Sequence, residues 1–154
     1  MSERIKKIFE KRKKKLLTFI TGGDPDLETS VEILKVIINN NIDIIEIGMP
    51  FSDPMADGPT IQESSVRSIA NGTKINDIFN IVREVRKINN DIPIILMGYY
   101  NSVFNLGIDT FTSKCSEAGV DGLIIVDLQP EEDLELFTKT KNKKIDLIRL
   151  ITPT

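Results

Sequence analysis

Five short runs rich in isoleucine, leucine and valine punctuate the chain, at residues 16–20, 42–47, 92–97, 123–126 and 146–151. They are mostly continuous rather than alternating, as strands buried on both faces are. Between them apolar side chains recur at helical spacing. Leu27, Val31, Leu34, Ile37 and Ile38 form one stripe, and Ile75, Ile78, Ile81, Val82 and Val85 form another. The order is a helix followed by β-α-β-α-β-α-β-α-β, with connections long enough for helical crossovers. Such an order requires a parallel sheet with right-handed crossovers. Two closures remain open: a doubly wound open sheet, or the first part of a (β/α)8 barrel. The barrel normally takes about 250 residues, and this chain has 154, the length of one domain.

Local signals sharpen the element ends. Ile5, Ile8 and Phe9 make a small apolar stripe on an N-terminal helix, and the run Lys11-Arg12-Lys13-Lys14-Lys15 suits its solvated end. Thr60-Ile61-Gln62-Glu63 has the pattern of a capping box, and Pro130-Glu131-Glu132 that of a first helical turn. Gly119 and Gly122 flank the fourth strand.

Composition narrows the chemistry. With no histidine and one cysteine, the chain excludes Ser-His and Cys-His nucleophiles, histidine metal sites, thiolate zinc sites and internal disulfides. Acid–base work near neutral pH falls to a retuned carboxylate, lysine or tyrosine. Cys115, on a helical stretch with no activating partner, reads as a half-buried thiol. A net charge of −3 argues against nucleic-acid binding. No apolar run approaches the roughly 18 residues of a membrane span, and Met1 to Lys15 lacks a signal-peptide core, so a cytoplasmic protein is expected.

The second strand departs from packing logic. In Ile42-Asp43-Ile44-Ile45-Glu46-Ile47-Gly48, a period of two puts Glu46 on one face with Ile42 and Ile44. Glu46 stands at the carboxyl end, where α/β proteins place their sites. A carboxyl among isoleucines has its pKa raised by desolvation toward the range useful for proton transfer, unless it merely sits at the strand's wet rim. The loop that follows, residues 49–59, is stiffened by three prolines and adds Asp53 and Asp57. Asp53, before Pro54, suits a turn; Asp57, before Gly58, suits either a turn or a second functional carboxylate. Two carboxylates in unlike surroundings divide acid and base roles.

Pro50-Phe51-Ser52-Asp53-Pro54-Met55-Ala56-Asp57-Gly58-Pro59, following Glu46-Ile47-Gly48, closely resembles the signature of the tryptophan synthase α-subunit family. The resemblance continues through Phe19-Ile20-Thr21-Gly22-Gly23-Asp24-Pro25, Tyr99-Tyr100-Asn101, Gly107-Ile108-Asp109, Gly119-Val120-Asp121-Gly122, Val126-Asp127-Leu128 and Leu150-Ile151-Thr152-Pro153-Thr154. Gly22 and Gln129 are small departures from the family pattern. The resemblance implies a (β/α)8 TIM barrel, here its N-terminal five strands with a preceding helix. It implies a lyase that cleaves indole-3-glycerol phosphate to indole and glyceraldehyde 3-phosphate in tryptophan biosynthesis, with no cofactor or metal. Glu46 is then the proton shuttle, and Asp57 accepts the indole N–H. By the same resemblance Phe19, Met97, Tyr99, Ile124 and Leu150 line the indole pocket. The implied partner is the pyridoxal-phosphate-dependent β subunit, in an α2β2 heterotetramer. The family's phosphate-binding segment lies beyond the part matched here, so these 154 residues alone are expected to be nearly inactive. The different-class alternative is a non-catalytic module that binds the β subunit.

Overall fold

Leu17–Thr21 (β1), Ile44–Gly48 (β2), Ile94–Gly98 (β3), Gly122–Ile125 (β4) and Asp146–Ile148 (β5) pair in parallel, in that order across one sheet. The structure, a computed structural model, describes residues 1–10 and 13–151. A doubly wound sheet reverses its strand order at a switch point. No reversal occurs here, so successive crossovers lay their helices on one face. The sheet is singly wound, which selects the barrel-type arrangement from the two left open. Each strand lies within two residues of its apolar run at the start.

The helices follow from the apolar stripes. They are α1 (Glu3–Glu10), α2 (Leu27–Ile38), α3 (Pro59–Ala70), α4 (Ile75–Ile88), α5 (Tyr100–Leu106), α6 (Ile108–Ala118) and α7 (Leu134–Asn142). Crossovers β2–β3 and β3–β4 each carry two helices rather than one. On the helix-covered face, Ile45, Ile47, Ile94, Leu96 and Leu123 pack with Leu34, Phe79, Val82, Phe111 and Leu136 in the main core. The opposite face carries a smaller cluster, Ile44, Ile95 and Ile124, against which Ile8 of α1, Met97, Val126 and Ile148 pack. Of the N-terminal stripe, Ile8 therefore engages the sheet while Phe9 stays exposed.

Three local expectations are corrected. The capping box at Thr60 does not form: Gly58 is the N-cap and Pro59 opens α3, because proline's fixed φ suits the first helical position. Pro130, Glu131 and Glu132 make a turn before α7, whose N-cap is Asp133. Cys115 is fully buried rather than half-buried, and that burial pushes its thiol pKa up, which leaves it inert. Of the basic run, Lys11 and Arg12 lie outside the described residues, as do Thr152, Pro153 and Thr154.

Beneath the strand starts, Asp121 is 2% exposed and ties α1, the residue before it, α4 and β3 together. Its Oδ1 accepts from Ser2 Oγ at 2.5 Å and Arg4 Nη1 at 3.1 Å; its Oδ2 accepts from Arg86 Nη2 at 2.5 Å and Ile94 N at 3.0 Å. Arg86 also donates to the carbonyls of Gly119 and Ile92. Its burial holds the guanidinium pKa down at about 10.

Candidate active site

Strand register sets the site. Phe19 pairs with Glu46 and Glu46 with Ile95, while Thr21, Gly48, Met97 and Ile124 occupy the next row toward the carboxyl ends. Alternation places both rows on the face away from the crossover helices. Glu46 thus stands between an aromatic ring and an isoleucine, and it is 8% exposed. Among the described residues it has no hydrogen-bond or ion-pair partner. Burial raises its pKa above the ordinary 4.5.

Gly48 makes room above it. A Cβ at Gly48 would meet the Phe19 ring at 2.6 Å, so the bare backbone is what lets that ring lie across the end of β2. The carboxyl ends of β1 to β3 then surround a slot with Thr21, Met97 and Tyr99. The loop after β2 folds over it and contributes Phe51, Pro54 and Asp57, and α3 adds Ile61 and Ser65. The helix approaches this closely because its buried face is serine: Ser64 Oγ bonds Thr21 Oγ1 at 2.6 Å, and Ser68 Oγ donates to the Gly22 carbonyl at 2.7 Å. The slot is narrow, about 20 Å³, room for roughly one water.

Asp57 sits on the rim, half-buried, and its Oδ2 accepts the Tyr99 hydroxyl at 3.0 Å. Tyr99 also accepts the Ala56 N–H at 3.0 Å, and Phe51 stacks on its ring with centroids 5.2 Å apart. Burial, and to a smaller extent the Asp57 carboxylate, pushes the Tyr99 phenol upward. Asp53 is exposed in the same loop, and its carbonyl accepts the Met55 N–H at 2.9 Å, a turn as expected.

The sequence-derived candidates therefore separate. Asp57, Phe19, Met97 and Tyr99 line the slot, with Glu46 one row deeper on the same face. Ile124 is one strand further round, in the apolar cluster with Ile44 and Ile95. Leu150 is 61% exposed and lines a different hollow beside Asp127, Gln129 and Arg149, since it follows β5, two strands from β3. Thr21, Phe51, Ile61 and Ser65 join the slot without having been singled out. Only Thr21 carried a signal, standing two residues beyond Phe19 on one strand face. Among the described residues no three potential metal-binding side chains converge.

The site offers a desolvated carboxyl below an aromatic-walled slot and a second carboxylate at its edge. Two carboxyl groups in such unlike surroundings can divide acid and base roles. The model of the tryptophan synthase alpha chain family matches residues 5–154. The chain is 49% identical to the tryptophan synthase alpha chain of Zymomonas mobilis subsp. mobilis, over 98% of its own length and 57% of that protein's. The crystal structure of tryptophan synthase subunit alpha from Legionella pneumophila superposes with a TM-score of 0.96 at 41% identity, covering all of this chain and 60% of that one. Tryptophan synthase from M. tuberculosis, in its aminoacrylate-bound form, gives 0.93 at 29% identity, over 98% and 62%. The chain thus spans about three fifths of the length of these relatives.

Proposed function

The chain belongs to the tryptophan synthase alpha chain family, and on that premise we propose that its site cleaves indole-3-glycerol phosphate to indole and glyceraldehyde 3-phosphate. The observation that carries the reading is Glu46: a carboxyl unpaired among the described residues and with a raised pKa, on the sheet face that carries the slot and one register row below Gly48 of its lining, with Asp57 on the slot's rim. Retro-aldol cleavage needs an electron sink. Here the substrate supplies it. Glu46, protonated, gives its proton to the ring carbon that bears the side chain, and the indole becomes an iminium. Asp57 accepts the ring N–H and offsets the positive charge that develops there. The Glu46 carboxylate then takes the proton of the side-chain hydroxyl. The C–C bond breaks, its electrons return to the ring, and indole and an aldehyde leave with no net proton change.

An indole is several times larger than the slot, so the ring enters by displacing a wall. Phe51 is the side chain to move, since it sits on the loop, is only partly buried and stacks on Tyr99. Among the described residues no lysine or arginine lines the slot, so none of them gives the substrate's phosphate a charged partner there. The test is indole release from indole-3-glycerol phosphate, measured with and without the β subunit of a tryptophan synthase. Weak release that Glu46→Gln lowers by about 10²- to 10⁴-fold is expected. A Glu46→Gln protein as active as the wild type overturns the mechanism.

A second reading, a module that docks the pyridoxal-phosphate-dependent β subunit, is favoured by the surface beside the site. Met55 of the loop and Phe104 of α5 are 75% and 67% exposed, and Pro50 and Asn105 share a hollow between those two segments. Stimulation of the β reaction by Glu46→Gln as strong as by wild type favours the module.

A further inference from the structure

We propose that Tyr99 is the positioning residue for Asp57, holding one carboxylate oxygen so that the other faces the N–H of the bound ring. This rests on the reading of the slot as an indole site. Tyr99 is 2% exposed at the end of β3. Its hydroxyl donates to Asp57 Oδ2 and accepts the Ala56 N–H, both at 3.0 Å, so one side chain pins two consecutive residues of the loop. The tyrosine is itself anchored, because the next residue, Tyr100, donates its N–H at 2.7 Å to Asp127 Oδ1, in the turn that follows β4. The loop holds the Asp57 backbone as well: its N–H donates to the Pro54 carbonyl at 3.1 Å and its own carbonyl accepts from Gln62 Nε2 at 2.8 Å.

Among the described residues Asp57 Oδ1 has no partner. A carboxylate with one oxygen tied and one free is an acceptor with a direction. Without the phenol, Asp57 keeps its place on the backbone but loses its orientation, and the N–H bond weakens while the apolar walls still hold a ring.

The experiment compares indole with benzofuran, the same shape with oxygen in place of N–H, by titration calorimetry on this chain. Wild type is expected to prefer indole roughly fivefold or more, the worth of about one hydrogen bond. Tyr99→Phe is expected to bring that preference below about twofold, with benzofuran affinity unchanged. A Tyr99→Phe protein that keeps the full preference overturns the proposal and leaves the indole reading standing. Equal weakening toward both ligands also overturns it, since that marks a merely structural tyrosine. Wild type that does not favour indole sinks the indole reading, and the role of Tyr99 falls with it.

A second measurement needs no tyrosine variant. The chain has two tyrosines, Tyr99 and Tyr100, and no tryptophan, so phenolate absorbance is the sum of two phenols, and the difference between wild type and Asp57→Asn reads Tyr99. Asp57→Asn removes the carboxylate that helps hold the phenol protonated, and the titration is expected to move to lower pH. A titration that does not move means that the hydroxyl and the carboxylate are not bonded, which overturns the proposal.

Discussion

A buried carboxyl flanked on its sheet face by isoleucine and phenylalanine destabilises the fold whenever it ionises. Glu46 is in that position, and burial alone raises its pKa. The folded state therefore holds the Glu46 proton more tightly than the unfolded chain does. That preference is fully present below the ordinary value of 4.5 and is lost as pH rises through the raised folded value. Glutamine has no such loss. Glu46→Gln is thus expected to match wild type in acid and to become the more stable protein toward neutral pH, as thermal melts across that range will show. A wild type equal or superior to Glu46→Gln at neutral pH contradicts a desolvated Glu46. The same substitution removes the proposed acid, so stability and activity move in opposite directions. Glu46 was legible in the sequence because it breaks the pattern of its own strand. The Tyr99 hydroxyl was not, because its partners Ala56 and Asp57 lie more than 40 positions away and no local period records such a bond.

The strands were legible for the same reason that they are stable: runs such as 92–97 bury on both faces and have no other reading. Helix ends were less so. Thr60 looked like a cap because the local pattern competes with Pro59, and the proline prevailed. At this scale the site depends on how β1 meets β2. Gly48 lies opposite Thr21 in the register, and the Phe19 ring fills the space a side chain would take there. Gly48→Ala sets a Cβ at 2.6 Å from that ring, so Phe19 must turn away. The expected cost is about 1–3 kcal/mol in denaturant unfolding, the usual range for overpacking. Because the displaced ring is a wall of the slot, affinity for indole and benzofuran falls together. Unchanged stability and unchanged affinity show that the ring is not held there.

At the scale of the whole molecule, strand order decides between two folds built from the same β-α repeat. The periodicity could not separate them, since both require buried parallel strands and right-handed crossovers. The difference lies in which residues share a face. Ile45, Ile47, Leu96 and Leu123 make the helix-covered side uniformly aliphatic, whereas Phe19, Glu46, Ile95, Gly122 and Asp146 lie in one row on the other side. Mixed rings and glycines suit a face that encloses a site, not one that receives a helix. That face also lacks the dense packing that ties the helices to one another, so its lower end depends on Asp121. This single carboxylate joins the residue before α1, α1 itself, α4 and the start of β3. Asp121→Asn leaves the Arg86 guanidinium buried without its counter-charge, and removing one partner of a buried pair costs about 3–5 kcal/mol. Against a total of about 5–15 kcal/mol for a domain, that is a large share. Urea unfolding is expected to show this loss, and Arg86→Met in the Asp121→Asn background is expected to recover part of it, because the stranded charge is then gone. If Asp121→Asn unfolds at the wild-type midpoint, the strand starts and α1 are held by apolar contacts such as that of Ile8, and the buried charges are incidental to stability.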